Sequence, residues 1–428
     1  MSGLWYFWGS LALLLGGYFV YGAFVEKVFG ADFGRLTPVK SRRDGVDYIE
    51  LPRYKIFLIQ LLNIAGLGPV LGPILGALYG PSALLWVVFG CIFGGAVHDY
   101  CSAMMSLRYG GASYPEIIGR NLGTGVRRFM EVFAIAFMIM VGAVFVLGPA
   151  ALLANLTSFG LPFWATLIFA YYFLATIMPI DTIIGRIYPF FSVLLLVMAF
   201  GLAGSLMLSG RPVLPNTDFF VNTDPTGLPI WPLLFITIAC GAISGFHATQ
   251  SPLMTRCMES EKHGRMLFYG PMIAEGVLGL IWVTLGLSFY ESPEALGAVI
   301  KAGTPTLVVQ EISMALLGPI GGMLAMLFSF FCLLASFGIG NMSQVNSIVS
   351  NVHTAFGKRL MIAVPLFAAG IALTFVDFAV IWRYFGWANQ TMSCVTLWAI
   401  AVYLARRERF HWIATLPAAF MTVVCVSY

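Results

Sequence analysis

Charge is what this chain has least of. Of its 428 residues only 10% are Asp, Glu, Lys or Arg, whereas 59% are hydrophobic and the mean hydropathy is +0.89. A soluble domain carries about 25% charged residues, so a water-soluble globule is excluded and a polytopic membrane protein is expected. The net charge of +4 is too small to argue for nucleic-acid binding. Seven cysteines form no CxxC pair and no metal-ligand spacing, which predicts packing roles and no disulfide framework. No strand-like alternation recurs, excluding an outer-membrane barrel. No basic n-region precedes the first apolar stretch and no A-x-A site follows it, so that stretch reads as a retained span.

Chemistry is scarce too. The chain has no HExxH, no GxSxG and no acidic metal-binding cluster, which argues against a membrane-embedded enzyme. It has no P-loop with which to bind ATP, and no cofactor is expected. No filter-like segment repeats, which argues against a channel.

What is there is a succession of apolar stretches. Windows of about 20 residues give twelve expected spans, near 4–25, 54–80, 81–108, 126–158, 161–179, 187–209, 230–257, 266–290, 317–352, 360–378, 379–405 and 411–427. If the first runs outward to inward, one set of loops and helix ends holds 20 of the 23 basic residues, leaving Arg211, Lys301 and Arg383. Basic loops stay in the cytoplasm. The N-terminus is therefore expected outside, in a multi-pass protein embedded in membrane lipid.

Two spans are interrupted. "IAGLGPVLGP" (64–73) sets Gly66, Gly68, Pro69, Gly72 and Pro73 inside one, and "CGAISGFHATQSP" (240–252) does the same to another. Proline removes an N–H and clashes with the preceding turn, so both helices should break. The breaks fall twelve and eleven residues after their spans begin, and five spans separate the two starts, so the broken helices cross in opposite directions. That is the pattern of an inverted repeat. The expected organisation is an extra helix and loop at 1–53, one half at 54–209, an external linker at 210–229, a second half at 230–405 and a last span at 406–428. Segments of helical character, 109–125 and 291–316, follow the second helix of each half. Unwound backbone in a bilayer is tolerated only where it lines a cavity or is buried in protein, and paired discontinuous helices point to a transporter's binding site. Half-helix N-termini suit a carboxylate, and freed carbonyls suit a cation.

The motifs "DGVDY" (44–48), "NIAGLGPVLGP" (63–73), "GGAVHDY" (94–100), "TIIGRIYPFF" (182–191), "GAISGFHATQSPLMTR" (241–256), "FYGPMIAEG" (268–276) and "WRYFGWANQT" (382–391) resemble, in order, the carbon starvation protein CstA family. The resemblance implies an inner-membrane transporter of the amino acid–polyamine–cation superfamily with a LeuT-type fold, associated with uptake of peptides and in some members of pyruvate. Longer members carry a histidine pair before the first break, where this chain reads "IQLLN". Many carry an acid and an arginine in the ninth span, where it reads "SFGIGNMSQVNS" (336–347).

These readings converge on an all-α secondary transporter with a 5+5 inverted repeat and flanking helices, importing a small carboxylated solute: a short peptide, an amino acid or pyruvate. The expected substrate contacts are Asn63, Gly66, Gly68, Pro69, Ser244, Gly245, His247, Thr249 and Gln250. A charge near the bilayer centre costs roughly 2.5–3.5 kcal/mol on lenient scales, so His98, Asp99, His247 and Glu275 need partners. Depth makes Asp99 and Glu275 candidates for one another, or for Arg256 and Arg186. The coupling ion is a proton or sodium. A proton would use Asp99, Glu275 or His247, with Asp99 preferred because His98 and the helix-break dipoles could tune it. Sodium would sit near Ala65 and Gly68 with Ser336.

Overall fold

The computed structural model describes residues 2–44, 48–177, 181–338 and 356–428. Among the described residues every regular element is helical. Six helical runs are long and apolar enough to cross a membrane by length and composition: Gly3–Phe29, Ser82–Arg108, Thr124–Leu156, Pro189–Leu208, Glu261–Phe289 and Pro293–Leu327. A seventh is the bent pair Arg53–Ile64 and Gly68–Tyr79. Leu161–Phe173, Val364–Leu373 and Trp412–Ser427 are shorter. At 1.5 Å per residue a helix needs about 20 residues to cross the hydrocarbon layer, and these three fall below that.

Both expected interruptions are present, with altered bounds. The first helix stops at Ile64, and Gly68 begins the next, with Pro69 in the first turn and a bend of 45°. Proline there lacks only an N–H that would have no intrahelical partner, and its φ already suits a helix. Pro69 thus starts a half-helix. The second helix stops at Thr237 and resumes at His247, leaving 238–246 non-helical. The interruption expected over 240–252 therefore ends earlier, because Ser251 and Pro252 lie inside the half-helix His247–Thr255. Ser251 Oγ donates to the His247 carbonyl at 2.9 Å, occupying one acceptor near the proline.

Two expected loops carry helix. Tyr114–Leu122 is opened by a capping box of Ser113 and Glu116. The stretch 291–316 is absorbed into a run over Pro293–Gly338, kinked at Gly303, Thr304 and Gly318.

Burial identifies the centre of the molecule. The most apolar windows of Ser82–Arg108 and Glu261–Phe289 are each 83% buried, against 22% for Gly3–Phe29. Ser82–Arg108 packs on the half-helix His247–Thr255, and Gly270–Phe289 packs on Gly68–Gly76. The N-terminal helix is peripheral, and the two broken helices are clasped by the two most buried spans.

Candidate functional site

The second interruption is held by side chains from three other spans. Trp86 Nε1 donates to the Ile238 carbonyl at 2.9 Å and Trp382 Nε1 to the Thr237 carbonyl at 3.3 Å. Gln390 Nε2 donates to the Phe235 carbonyl at 2.7 Å. The Phe246 N–H donates to Asn389 Oδ1 at 2.8 Å, and Asn389 Nδ2 donates to Ser244 Oγ at 3.0 Å. The Gly241 N–H donates to Glu275 Oε1 at 3.0 Å, and Gly241 has φ +88°, a left-handed conformation that glycine adopts without strain. An unpaired backbone group buried away from water costs as much as a lost hydrogen bond. These contacts let 238–246 stay unwound inside the protein.

Glu275 is also one end of a buried chain of titratable groups. His98 Nδ1 and Asp99 Oδ1 lie 2.8 Å apart, as do Asp99 Oδ2 and His247 Nδ1. His247 Nε2 faces Glu275 Oε2 at 3.4 Å. All four side chains are fully buried. An ionised Asp99 accepts from both Nδ1–H groups, which fixes the tautomer of each ring. The far side of His247 is then the undecided position. Either Nε2 is protonated and faces a carboxylate, or Nε2 is bare and faces a protonated Glu275. One proton serves two sites.

The expected pairing of Asp99 with Glu275 is thus indirect, because His247 stands between them. Arg256 instead directs Nε to the Gly111 carbonyl at 3.1 Å. The side chains of Arg186 and Ser336 lie outside the described residues, so the sodium arrangement with Ala65 and Gly68 is described only in part. Ala65 is buried at the end of the helix Arg53–Ile64.

The remaining expected substrate contacts fall into two groups. Gly66, Gly68 and Gly245 are points of close packing. A Cβ on Gly66 would stand 2.9 Å from the Phe145 ring, a Cβ on Gly68 would overlap the Cys240 side chain, and one on Gly245 would overlap Met392 and the Asn389 carbonyl. Gly68 therefore brings the two interruptions into contact. Ser244, Thr249 and Gln250 have protein partners: Ser244 bonds Asn389, Thr249 Oγ1 donates to the Phe246 carbonyl at 2.7 Å, and Gln250 Nε2 donates to Thr249 at 2.9 Å. Asn63 differs. The residue is 8% exposed and its Nδ2 has no hydrogen-bond partner. Nearby, Gln60 Nε2 reaches Ser251 Oγ at 3.3 Å while its Oε1 is unpartnered.

Sequence reasoning passed over a latch at the end of the molecule that carries the basic loops. Glu261, fully buried, accepts from Arg108 Nε at 3.0 Å and Nη2 at 2.8 Å and from the Asp32 N–H at 2.7 Å, with Arg35 Nε at 3.3 Å. Arg108 also donates to the Gly30 carbonyl at 2.7 Å and to Tyr403 Oη at 3.2 Å. Trp86, Trp382, Asn389 and Gln390 were also missed as holders of the second interruption. Two polar amides in the middle of an apolar span were the available signal.

The fold, with its two interrupted helices, is similar to that of a solved transporter. A solved manganese transporter of Eremococcus coleocola aligns over 90% of this chain and 89% of its own, with a TM-score of 0.58 at 12% identity. The family model described as "Carbon starvation protein CstA" matches residues 2–161 and 148–291. An uncharacterized membrane protein of Haemophilus influenzae is 46% identical over 352 residues, 70% of this chain and 95% of that protein. The "Peptide transporter CstA" of Campylobacter jejuni is 25% identical, covering 97% of this chain and 78% of its own. The "Pyruvate/proton symporter BtsT" of Escherichia coli is 29% identical over 66% of this chain and 48% of its own. The chain belongs to the carbon starvation protein CstA family, and it is a transporter, not an enzyme.

Proposed function

We propose that the protein imports a small carboxylated solute across the inner membrane by proton symport, using alternating access. The observation that carries this reading is the buried chain His98–Asp99–His247–Glu275, which joins the span Ser82–Arg108 to the second broken helix and to Glu261–Phe289. A proton shared by His247 and Glu275 changes the charge between elements that must move apart, so protonation and conformation are coupled. Relatives named as a pyruvate/proton symporter and as peptide transporters support a carboxylate as the common feature of the cargo. The choice among short peptides, amino acids and pyruvate is made by uptake of labelled candidates. Transport of an uncharged sugar in preference to all three overturns the class.

In this reading twelve spans cross the membrane, ten of them as a 5+5 inverted repeat, with the N-terminus outside. The 20-to-2 asymmetry of basic residues between the loop sets supports the orientation. Labelling of a cysteine placed at Lys40 from outside intact cells overturns it. The physiological role is nutrient scavenging during carbon starvation.

The deciding measurement is uptake in proteoliposomes at fixed membrane potential, with pH and sodium gradients imposed separately. An inward proton gradient alone should drive accumulation. Accumulation driven by sodium alone, retained in Asp99→Asn, overturns proton coupling in favour of the arrangement at Ala65 and Gly68.

A further inference from the structure

Cys240, His247 and Glu275 are far apart in any spacing rule, and the second interruption folds them together. Cys240 Sγ, a ring nitrogen of His247 and a carboxylate oxygen of Glu275 all lie within 4.8 Å of one another, and all three side chains are buried. Two polar atoms at this spot, His247 Nε2 and Glu275 Oε2, face each other at 3.4 Å and have no other hydrogen-bond partner although fully enclosed. Buried polar atoms are nearly always satisfied, so a pair of them pointing at one place marks a position for something else.

We propose that Cys240, His247 and Glu275 form a binding site for a borderline-soft divalent cation of the Zn²⁺ class, held by thiolate, imidazole and carboxylate. The donor set suits such an ion and not magnesium or calcium, which favour oxygen alone. With bonds of about 2.0–2.3 Å, tetrahedral ligand atoms stand roughly 3.5 Å apart. His247 Nε2 and Glu275 Oε2 at 3.4 Å already have that separation.

The surroundings have the form that metal sites require. A ligating histidine donates its other ring N–H to a carboxylate, which fixes the tautomer and leaves the opposite nitrogen free for the ion. Here His247 Nδ1 bonds Asp99 Oδ2 at 2.8 Å, so Nε2 is the free nitrogen. Glu275 is oriented through its other oxygen by the Gly241 N–H. Cys240 Sγ has Ser244 Oγ at 3.6 Å and Asn389 Nδ2 at 3.8 Å as outer contacts. Three protein ligands leave a fourth position open, the arrangement of an exchangeable ion more than of a closed structural one. Binding would displace the thiol proton and any proton on His247 Nε2 or Glu275 into solvent.

The test uses the full chain purified in detergent and Co²⁺ as the probe. We expect one Co²⁺ per chain, a thiolate-to-cobalt charge-transfer band in the near ultraviolet, and loss of that band when Zn²⁺ displaces the probe. Cys240→Ser should abolish the band, and Cys425→Ser, on the last helix, should leave it. Asp99→Asn, acting through His247, should weaken affinity about 10–100-fold. Absence of the band in the wild-type protein overturns the proposal whatever the variants do. So does its persistence in Cys240→Ser. The readout is binding alone, so it succeeds or fails independently of the proton-symport reading.

Discussion

The first broken helix is interrupted for three residues, 65–67, and the second for nine, 238–246. Around the first lie the Phe145 ring, Leu67 against Gly148, and the side chain of Cys240, and its nearby amides Asn63 and Gln60 are incompletely satisfied. Around the second lie two indoles, two amides and a carboxylate, each bonding backbone that a continuous helix would have satisfied itself. A short break closes by packing, whereas a long one needs partners because every exposed N–H and C=O in a membrane interior must be paired. The difference assigns the buried titratable chemistry to the second break and leaves unpaired neutral amide groups beside the first.

The largest effect expected from this contrast is at Asp99. Asp99→Asn keeps the shape but cannot accept from both His98 and His247, so the shared proton loses its electrostatic anchor. Accumulation driven by a pH gradient should fall to equilibration, while exchange of labelled for unlabelled substrate continues. Exchange separates coupling from folding. If a monodisperse Asp99→Asn protein still concentrates substrate with the pH gradient alone, the second break does not hold the coupling chemistry.

Next comes the contact between the breaks. Gly68→Ala places a methyl group against Cys240, and overpacking of this kind costs about 1–3 kcal/mol. Cys240→Gly in the same chain should recover much of that loss, since both Sγ and Cβ of Cys240 stand in the space of the added methyl and the two changes share one volume. Gly66→Ala should cost less, because the edge of the Phe145 ring can shift. Thermal unfolding in detergent checks all three. Additive losses for Gly68→Ala and Cys240→Gly would break the claim that these breaks touch.

Much of this was legible in the sequence, and the reason is locality. Gly66, Gly68 and Pro69 act on their own backbone, so a reader of ten residues can see a helix stop. The same logic misjudged Pro252, which sits within a half-helix, because local composition marks a break more surely than its end. Partners were not legible. His247 meets Asp99 across 148 residues and Phe246 meets Asn389 across 143, separations that helix periodicity does not relate. Depth arguments did place Asp99 and Glu275 in one layer, but depth could not show that a histidine would come between them. Cysteine spacing could not show what surrounds Cys240 for the same reason: His247 and Glu275 are brought to it by the fold.

A third measurement sharpens the contrast through Asn389. Its Oδ1 accepts the Phe246 N–H and its Nδ2 donates to Ser244, so Asn389→Ala leaves a buried donor of the second break without a partner. Such an orphan costs about 1–3 kcal/mol, and the unfolding temperature should fall accordingly. A change no larger than at an exposed control such as Lys301→Ala would show that the long break does not depend on its side-chain partners.

The smallest stability effect, and the most informative about cargo, is expected at Asn63. Its Nδ2 is buried without a partner, so Asn63→Ala removes a donor that the fold does not use and should change stability by less than about 1 kcal/mol. A structural amide would behave like Asn389. If Asn63 instead donates to the carboxylate of the solute, the same substitution should raise the concentration for half-maximal uptake roughly tenfold, the worth of one hydrogen bond to a charged group. The maximal rate in proteoliposomes should change little, because the proton chain lies at the other break. An Asn63→Ala protein with wild-type uptake kinetics and unaltered stability would remove the first break from the substrate site. A protein destabilised as strongly as Asn389→Ala would instead show that both breaks are held in the same way.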